Sequence, residues 1–84
     1  MQEAIKKEDK KDYLKKFGAY FRYIRKKHKV TSSAIADSLD MQKSSLTRLE
    51  QGGTNPTLFN LKRLADELNI TLTELIDGFE KFEE

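Results

Sequence analysis

Two leucines at helical spacing, Leu46 and Leu49, lie within a group of residues that can donate hydrogen bonds. The donors are Gln42, Lys43, Ser44, Thr47 and Arg48. Such side chains can bind phosphate oxygens or the acceptor edges of nucleic-acid bases, and two of them are positively charged. The pattern predicts a short helix that buries its leucines and presents the donors outward.

A second short helix is predicted just before this one. Ile35, Ala36 and Leu39 recur at helical spacing, and only residues 38–42 connect them to the donor-bearing helix. This connection is too short for an independent loop but long enough to turn one helix sharply into the next. Two such helices, the second with a polar face, are typical of a helix-turn-helix.

The first turns of both helices lack acidic residues: they open TSSA (residues 31–34) and QKSS (residues 42–45). A helix N-terminus carries partial positive charge and normally attracts Asp or Glu. The helix predicted from Leu72 follows that rule, because Thr71 and Glu74 form a T-x-x-E capping box. The acid-free N-termini therefore favour external phosphates, although serine and glutamine are also ordinary surface residues there.

Length and composition indicate one small helical domain. The chain has 84 residues, 37% of them hydrophobic and 36% charged, with a single Pro and four Gly. A chain of this length can bury only a small hydrophobic core of marginal stability, which favours a compact all-helical fold or a dimer partner. The absence of Cys excludes disulfides and Cys-based zinc sites, and one His leaves no metal cluster or nucleophile–base pair. We expect no enzyme activity, no cofactor and no metal.

The charge is divided unevenly along the chain. Residues 1–48 contain 13 Lys/Arg and 6 Asp/Glu, a net +7, whereas residues 49–84 contain 3 and 8, a net −5. A basic face backed by an acidic one suits the binding of a polyanion, although solvated charge runs are common. There is no apolar run of about 18 residues and no secretory signal pattern, so we expect no membrane segment and a cytoplasmic protein.

The remaining periodicity predicts an all-α domain over residues 12–84, with five helices and no strand. Residues 1–11 are polar and Lys-rich; we expect a flexible arm, which could also contact DNA. Asp12 is the predicted N-cap of helix one, residues 13–28. Helix four, residues 58–68, follows Thr57 as its cap, and Gly52 is the expected left-handed C-cap of helix three. The apolar stripes of helices one and four are Leu14, Phe17, Phe21, Ile24 and His28, and Leu58, Leu61, Leu64, Ala65 and Leu68.

These positions together resemble the XRE-type, Cro and lambda-repressor-like helix-turn-helix domains of bacteria and phages. The resemblance runs from about Phe17 to Ile76. It is carried by Phe17, Gly18, Ile24, Arg25, Ile35, Ala36, Leu39, Leu46, Arg48, Leu49, Glu50, Gly52, Asn55, Pro56, Leu58, Leu61, Leu64, Ala65 and Leu75. It implies a five-helix domain that binds operator DNA, usually as a dimer, with the third helix in the major groove. Ser32 stands where the family often has Gln, and Asp40 where it favours Gly.

The resemblance also implies roles for individual residues. Lys43, Ser44 and Thr47 would contact bases, and Arg48 would read guanine or hold a phosphate. The implied phosphate contacts are Ser32, Ser33, Gln42, Thr54 and Asn55. Arg25 of helix one and Glu50 at the end of helix three would form an ion pair, since the planar guanidinium can meet a carboxylate bidentately.

Surplus aromatic residues predict self-association. Phe59 falls off the stripe of helix four, and the stripe of helix five continues further than a small core requires. The predicted dimer interface consists of Phe59, Leu72, Ile76, Phe79 and Phe82. In the alternative arrangement, Phe79 and Phe82 fold back on Leu14 and Phe17, or the end of the helix frays.

The leading functional hypothesis is a dimeric, sequence-specific regulator of transcription, a repressor or an activator, whose partner is double-stranded DNA. The alternative is an antitoxin that neutralises a toxin and also binds DNA, with the acidic tail at residues 79–84 facing a basic protein partner. RNA binding is weaker, because it usually relies on exposed aromatic residues. Only Tyr20 and Tyr23, predicted on the outer face of helix one, lie near the basic half.

Overall fold

The computed structural model of the protein describes residues 7–83, and these form five α-helices without a strand among them, as predicted. None of these helices combines the length and the apolar character needed to cross a membrane. The helices are α1 (Lys7–Lys27), α2 (Ser32–Ser38), α3 (Lys43–Glu50), α4 (Leu58–Glu67) and α5 (Leu72–Lys81).

Side-chain caps fix the starts of three helices. Thr31, Thr57 and Thr71 each accept a hydrogen bond from the backbone N–H three residues ahead, so one otherwise unpaired donor of each helix is satisfied. Glu74 completes the predicted capping box at α5. Gly52 ends α3 with a φ of 82°, the left-handed conformation expected of it.

The first helix begins earlier than predicted. It includes Lys7, so Asp12 lies inside the helix and is not its N-cap. The polar run before Asp12 contains no Gly or Pro, and its lysines and glutamates have good helix propensity. Residues 1–6 of the predicted arm lie outside the described residues. His28, predicted on the buried stripe, lies beyond the end of α1 and is exposed.

The core is built from side chains of all five helices. Its largest fully buried side chains are Phe21, Ile35, Leu46, Leu68 and Leu75. Gly18 lies where α1 crosses the end of α3: a Cβ there would be 2.5 Å from the carbonyl oxygen of Leu49 and 2.6 Å from that of Glu50. Only a hydrogen atom fits between the two backbones, so the absence of a side chain lets the helices approach this closely.

Two predictions about aromatic residues are wrong because α5 folds back on α1. Tyr20 is 3% exposed rather than on an outer face, and its hydroxyl donates a hydrogen bond of 2.8 Å to the carbonyl of Leu75. Burial, with a smaller contribution from the charge of Asp77, raises the pKa of this hydroxyl, which keeps it protonated as a donor. Gly78 leaves the space that the hydroxyl occupies.

Phe79 is likewise buried, at 3% exposure, so it cannot contribute to a dimer interface as predicted. Its ring meets those of Tyr13 and Phe17 edge-on, with centroids 5.0 and 5.2 Å away. Phe82 is half-buried against Tyr20 and Tyr23, which also removes most of its surface from such an interface. The alternative in which these two aromatics fold back on helix one describes α5 better.

The start of α4 differs from its predicted stripe. Leu58, expected in the core, is 71% exposed, and Phe59, expected outside it, is 69% exposed. Leu58 is the first residue of the helix, where the chain has not yet reached the core, and burial begins with Leu61. Two adjacent apolar side chains are therefore left in solvent at the start of α4.

Candidate nucleic-acid interface

The third helix presents the predicted base-contacting residues together. It is anchored by the buried side chains of Leu46 and Leu49. The remaining positions at its N-terminal end and along its outer face are exposed: Lys43, Ser44, Thr47 and Arg48. This places four hydrogen-bond donors on one solvent-facing side of a two-turn helix, a shape that fits a major groove. What each of them contacts remains a prediction.

The predicted phosphate contacts lie at two helix N-termini and in the loop before α4. Ser33, Gln42 and Asn55 are exposed, while Ser32 and Thr54 are half-buried. Gln42 is the N-cap of α3 but makes no side-chain capping bond, so its side chain does not satisfy the first N–H groups of α3. The missing acids are weaker evidence than the sequence suggested, since the first turn of α4 also has none.

An ion pair holds the far end of α3. Nε of Arg25 donates to Oε2 of Glu50 at 2.7 Å, and Nη2 donates to Oε1 at 3.2 Å, which makes the contact bidentate. Nη1 of the same arginine donates to the carbonyl of Val30 at 3.0 Å. The two side chains are only 10% and 11% exposed. One guanidinium thus ties together α1, the end of α3 and the segment that precedes α2.

The turn between α2 and α3 is narrow and partly left-handed. Leu39 is the C-cap of α2, and Asp40 has a φ of 54°, the conformation for which glycine is usually preferred. The N–H of Met41 closes the turn by donating to the carbonyl of Ala36 at 2.9 Å. Sequence reasoning missed one further contact: Arg63 of α4 donates to the carbonyl of Leu39. No sequence pattern marks a side chain whose partner is a distant backbone carbonyl.

A helix-turn-helix family model matches residues 21–75, a span from the second half of α1 to the middle of α5. The control protein C.MunI of Mycoplasma sp is 31% identical over 67 residues, which cover 79% of this chain and 90% of that protein.

Two solved structures have the same fold. The restriction-modification controller protein C.AhdI of Aeromonas hydrophila superposes with a TM-score of 0.67 at 30% identity, over 76% of this chain and 96% of that one. The DNA-binding domain of BldD superposes with a TM-score of 0.66 at 24% identity, over 77% and 94%, and shows the fold alone. Nothing in these three relatives supports the antitoxin alternative.

Proposed function

Because this chain belongs to the XRE, Cro and lambda-repressor-like helix-turn-helix family, we propose that it regulates transcription by binding operator DNA as a dimer. The observation that carries the proposal is the exposed donor face of α3 within a helix-turn-helix. DNA binding would take place in the cytoplasm of a bacterium or of a phage-infected cell.

In this mechanism α3 enters the major groove with its N-terminal end foremost. Lys43 donates to the O6 and N7 acceptors of guanine, Ser44 pairs with a base edge, and the hydroxyl and methyl groups of Thr47 suit thymine or its neighbour. Arg48 reads a guanine or binds a phosphate. Phosphates are held at the N-termini of α2 and α3 and at the loop before α4, by Ser32, Ser33, Gln42, Thr54 and Asn55.

Selection of bound duplexes from a random pool tests the proposal directly. We expect enrichment of one motif made of two related half-sites, whose centres lie about 34 Å apart on one face of the DNA. A pool that remains random after several rounds, at a salt concentration where binding is still measurable, would contradict sequence-specific regulation.

Replacing Thr47 with alanine should weaken binding to the selected duplex by about 1–3 kcal/mol and relax the preference at one base position. The lost hydroxyl and methyl are the groups that would meet the base edge. Thr73, which is exposed on α5, provides the matched control, and Thr73→Ala should leave binding unchanged. Unaltered preference at every base position in the Thr47→Ala protein would remove Thr47 from the contacting set.

The proposed dimer interface lies at the exposed apolar residues of α4 and α5. With Phe79 buried, the available side chains are Leu58, Phe59 and Ile76, supported by half-buried Leu72. Large apolar side chains left exposed are typical of surfaces that another protein covers. An isologous contact between two copies would place two α3 helices on one side of the DNA.

Sedimentation tests this interface. We expect the wild-type protein to dimerise as its concentration rises, and Phe59→Glu/Ile76→Glu to stay monomeric, because both glutamates would be buried without partners. Tyr23→Glu replaces an exposed aromatic of α1 outside the proposed interface and should still dimerise. A wild-type protein that stays monomeric at high concentration and binds one half-site without cooperativity would contradict the dimer.

The likeness to the restriction-modification controller protein C.AhdI supports restriction-modification genes as the regulated set. If so, the selected motif should occur upstream of neighbouring methyltransferase or endonuclease genes. Its absence from such positions would leave DNA binding intact but refute this assignment.

A further inference from the structure

The C-terminal end of α2 lacks a cation of its own. This helix has seven residues and no basic residue in its last turn. A helix C-terminus carries partial negative charge, which cations stabilise and anions do not. Two acids, Asp37 and Asp40, lie at this end, so a positive charge from elsewhere in the fold would stabilise it.

One face of α4 supplies that charge. Nη2 of Arg63 donates to the carbonyl of Leu39, the C-cap of α2, at 2.6 Å. One turn further along, Glu67 accepts a 2.7 Å hydrogen bond from the hydroxyl of Ser38. One turn before Arg63, the ring of Phe59 lies under the guanidinium, 5.6 Å from its carbon, and limits its orientation. Residues 59, 63 and 67 thus form a ridge at intervals of four, and two of them hold the end of α2.

The carbonyl that Arg63 binds belongs to the residue before the left-handed Asp40. A non-glycine residue in that conformation is disfavoured by roughly 1 kcal/mol or more and persists only where its surroundings hold it. On the other side of Asp40, the N–H of Met41 is bonded to Ala36. The turn is therefore fixed at both flanks, from one side by α2 and from the other by α4.

This turn decides how α3 is directed relative to α2. A change at Leu39 or Asp40 would rotate α3 and move Lys43, Ser44 and Thr47 away from the base edges, although the protein would keep the same number of positive charges. A displacement of about 1 Å is enough to disturb a site that depends on aligned hydrogen bonds.

We propose that Arg63 is a positioning residue for DNA recognition, which fixes the direction of the recognition helix through the carbonyl of Leu39. The inference rests on the proposed function and assigns Arg63 no base contact of its own, because its guanidinium binds the carbonyl of Leu39. Its loss should therefore lower sequence discrimination rather than general affinity for DNA.

The test compares Arg63→Gln with Lys62→Gln. The neighbouring Lys62 is half exposed and pairs with Asp66 on the same helix, so its replacement removes one positive charge from α4 without touching the turn. Affinity is measured at one salt concentration for the selected duplex and for an unrelated duplex. For Arg63→Gln we expect about a tenfold loss on the selected duplex, within the range of couplings carried by positioning networks. For the unrelated duplex, the affinity of both variants should fall by the same small factor, because non-specific binding depends on charge alone.

Amide hydrogen exchange provides a readout that does not require DNA. We expect Arg63→Gln to accelerate exchange at Asp40 and Met41, while the amides of Leu46 and Leu75 in the core exchange as in the wild type. A second variant, Arg63→Lys, retains the positive charge but not the planar guanidinium. Its affinity should fall about threefold for the selected duplex and stay unchanged for the unrelated duplex. This variant decides the question if Arg63→Gln does not fold.

Two results would overturn the proposal. If Arg63→Gln lost equal affinity for both duplexes, Arg63 would be a phosphate contact. If Arg63→Gln bound both duplexes as Lys62→Gln does, with unchanged amide exchange at Asp40 and Met41, the turn would not depend on Arg63. A wild-type protein without preference for any duplex would instead refute the proposed function. The exchange measurement distinguishes that failure, since it reports on the turn alone.

Discussion

Replacing Glu50 with alanine is expected to lower the free energy of unfolding by about 3–4 kcal/mol. The pair that it forms with Arg25 is bidentate and nearly nine-tenths buried, so its removal leaves a guanidinium without its carboxylate in a place that water reaches poorly. Stability of a domain this small is typically of order 5–10 kcal/mol, and the loss would be a large part of it. Urea unfolding followed by far-ultraviolet circular dichroism measures the difference.

The exposed pair between Lys62 and Asp66 is the control. Both side chains are more than half exposed, so Asp66→Ala should change the free energy of unfolding by less than about 1 kcal/mol. The loss of unfolding free energy in Glu50→Gln should lie between those of Glu50→Ala and Asp66→Ala, because the amide oxygen of the glutamine can still accept a hydrogen bond from Nε of Arg25. If Glu50→Ala were no less stable than Asp66→Ala, the buried pair would not hold α3 in place.

Replacing Gly18 with alanine is expected to destabilise the fold by about 2 kcal/mol or more. In an isolated helix the same change would stabilise by about 1 kcal/mol. Here the added Cβ would overlap the carbonyl oxygens of Leu49 and Glu50, and backbone atoms cannot move aside as a flexible side chain can. Because α3 would be pushed outward, affinity for the selected duplex should fall as well.

Gly53 offers a matched glycine-to-alanine control. A Cβ at residue 53 would lie 3.4 Å from the nearest atom, the carbonyl oxygen of Arg48, which is close to ordinary contact. The free energy of unfolding of Gly53→Ala should therefore lie within about 0.5 kcal/mol of the wild-type value, as is usual for surface substitutions. A Gly18→Ala protein as stable as Gly53→Ala would show that α1 and α3 are not in close contact.

Features that depend on neighbouring residues were predictable from the sequence. The caps at Thr31, Thr57 and Thr71 work over three residues, so the starts of α2, α4 and α5 follow from local chemistry. Periodicity likewise assigned Leu46 and Leu49 to the core and the donors of α3 to the surface. For that reason the exposed face of the candidate site could be predicted before the fold was known.

Features that depend on distant packing were not predictable. The sequence pattern placed Tyr20 on an outer face and Phe79 among surplus aromatics, and only the return of α5 onto α1 shows that they bury each other. Leu58 fits an apolar stripe but lies before the point where α4 reaches the core. Arg63 resembles any surface arginine in the sequence, because its partner is a main-chain oxygen 24 residues away. Base contacts also depend on the sequence of the operator, which cannot be read from the amino-acid sequence of the protein.

The bond between Tyr20 and Leu75 joins residues 55 positions apart, and this has a consequence during synthesis. A ribosome adding about 5–20 residues per second would expose the apolar face of α1 for roughly 3–11 seconds before α5 can cover it. Chains cut short before α5 would contain the entire helix-turn-helix, yet leave Phe17 and Tyr20 open to chaperones and proteases. We expect such fragments to be degraded rather than to compete with intact protein for the operator.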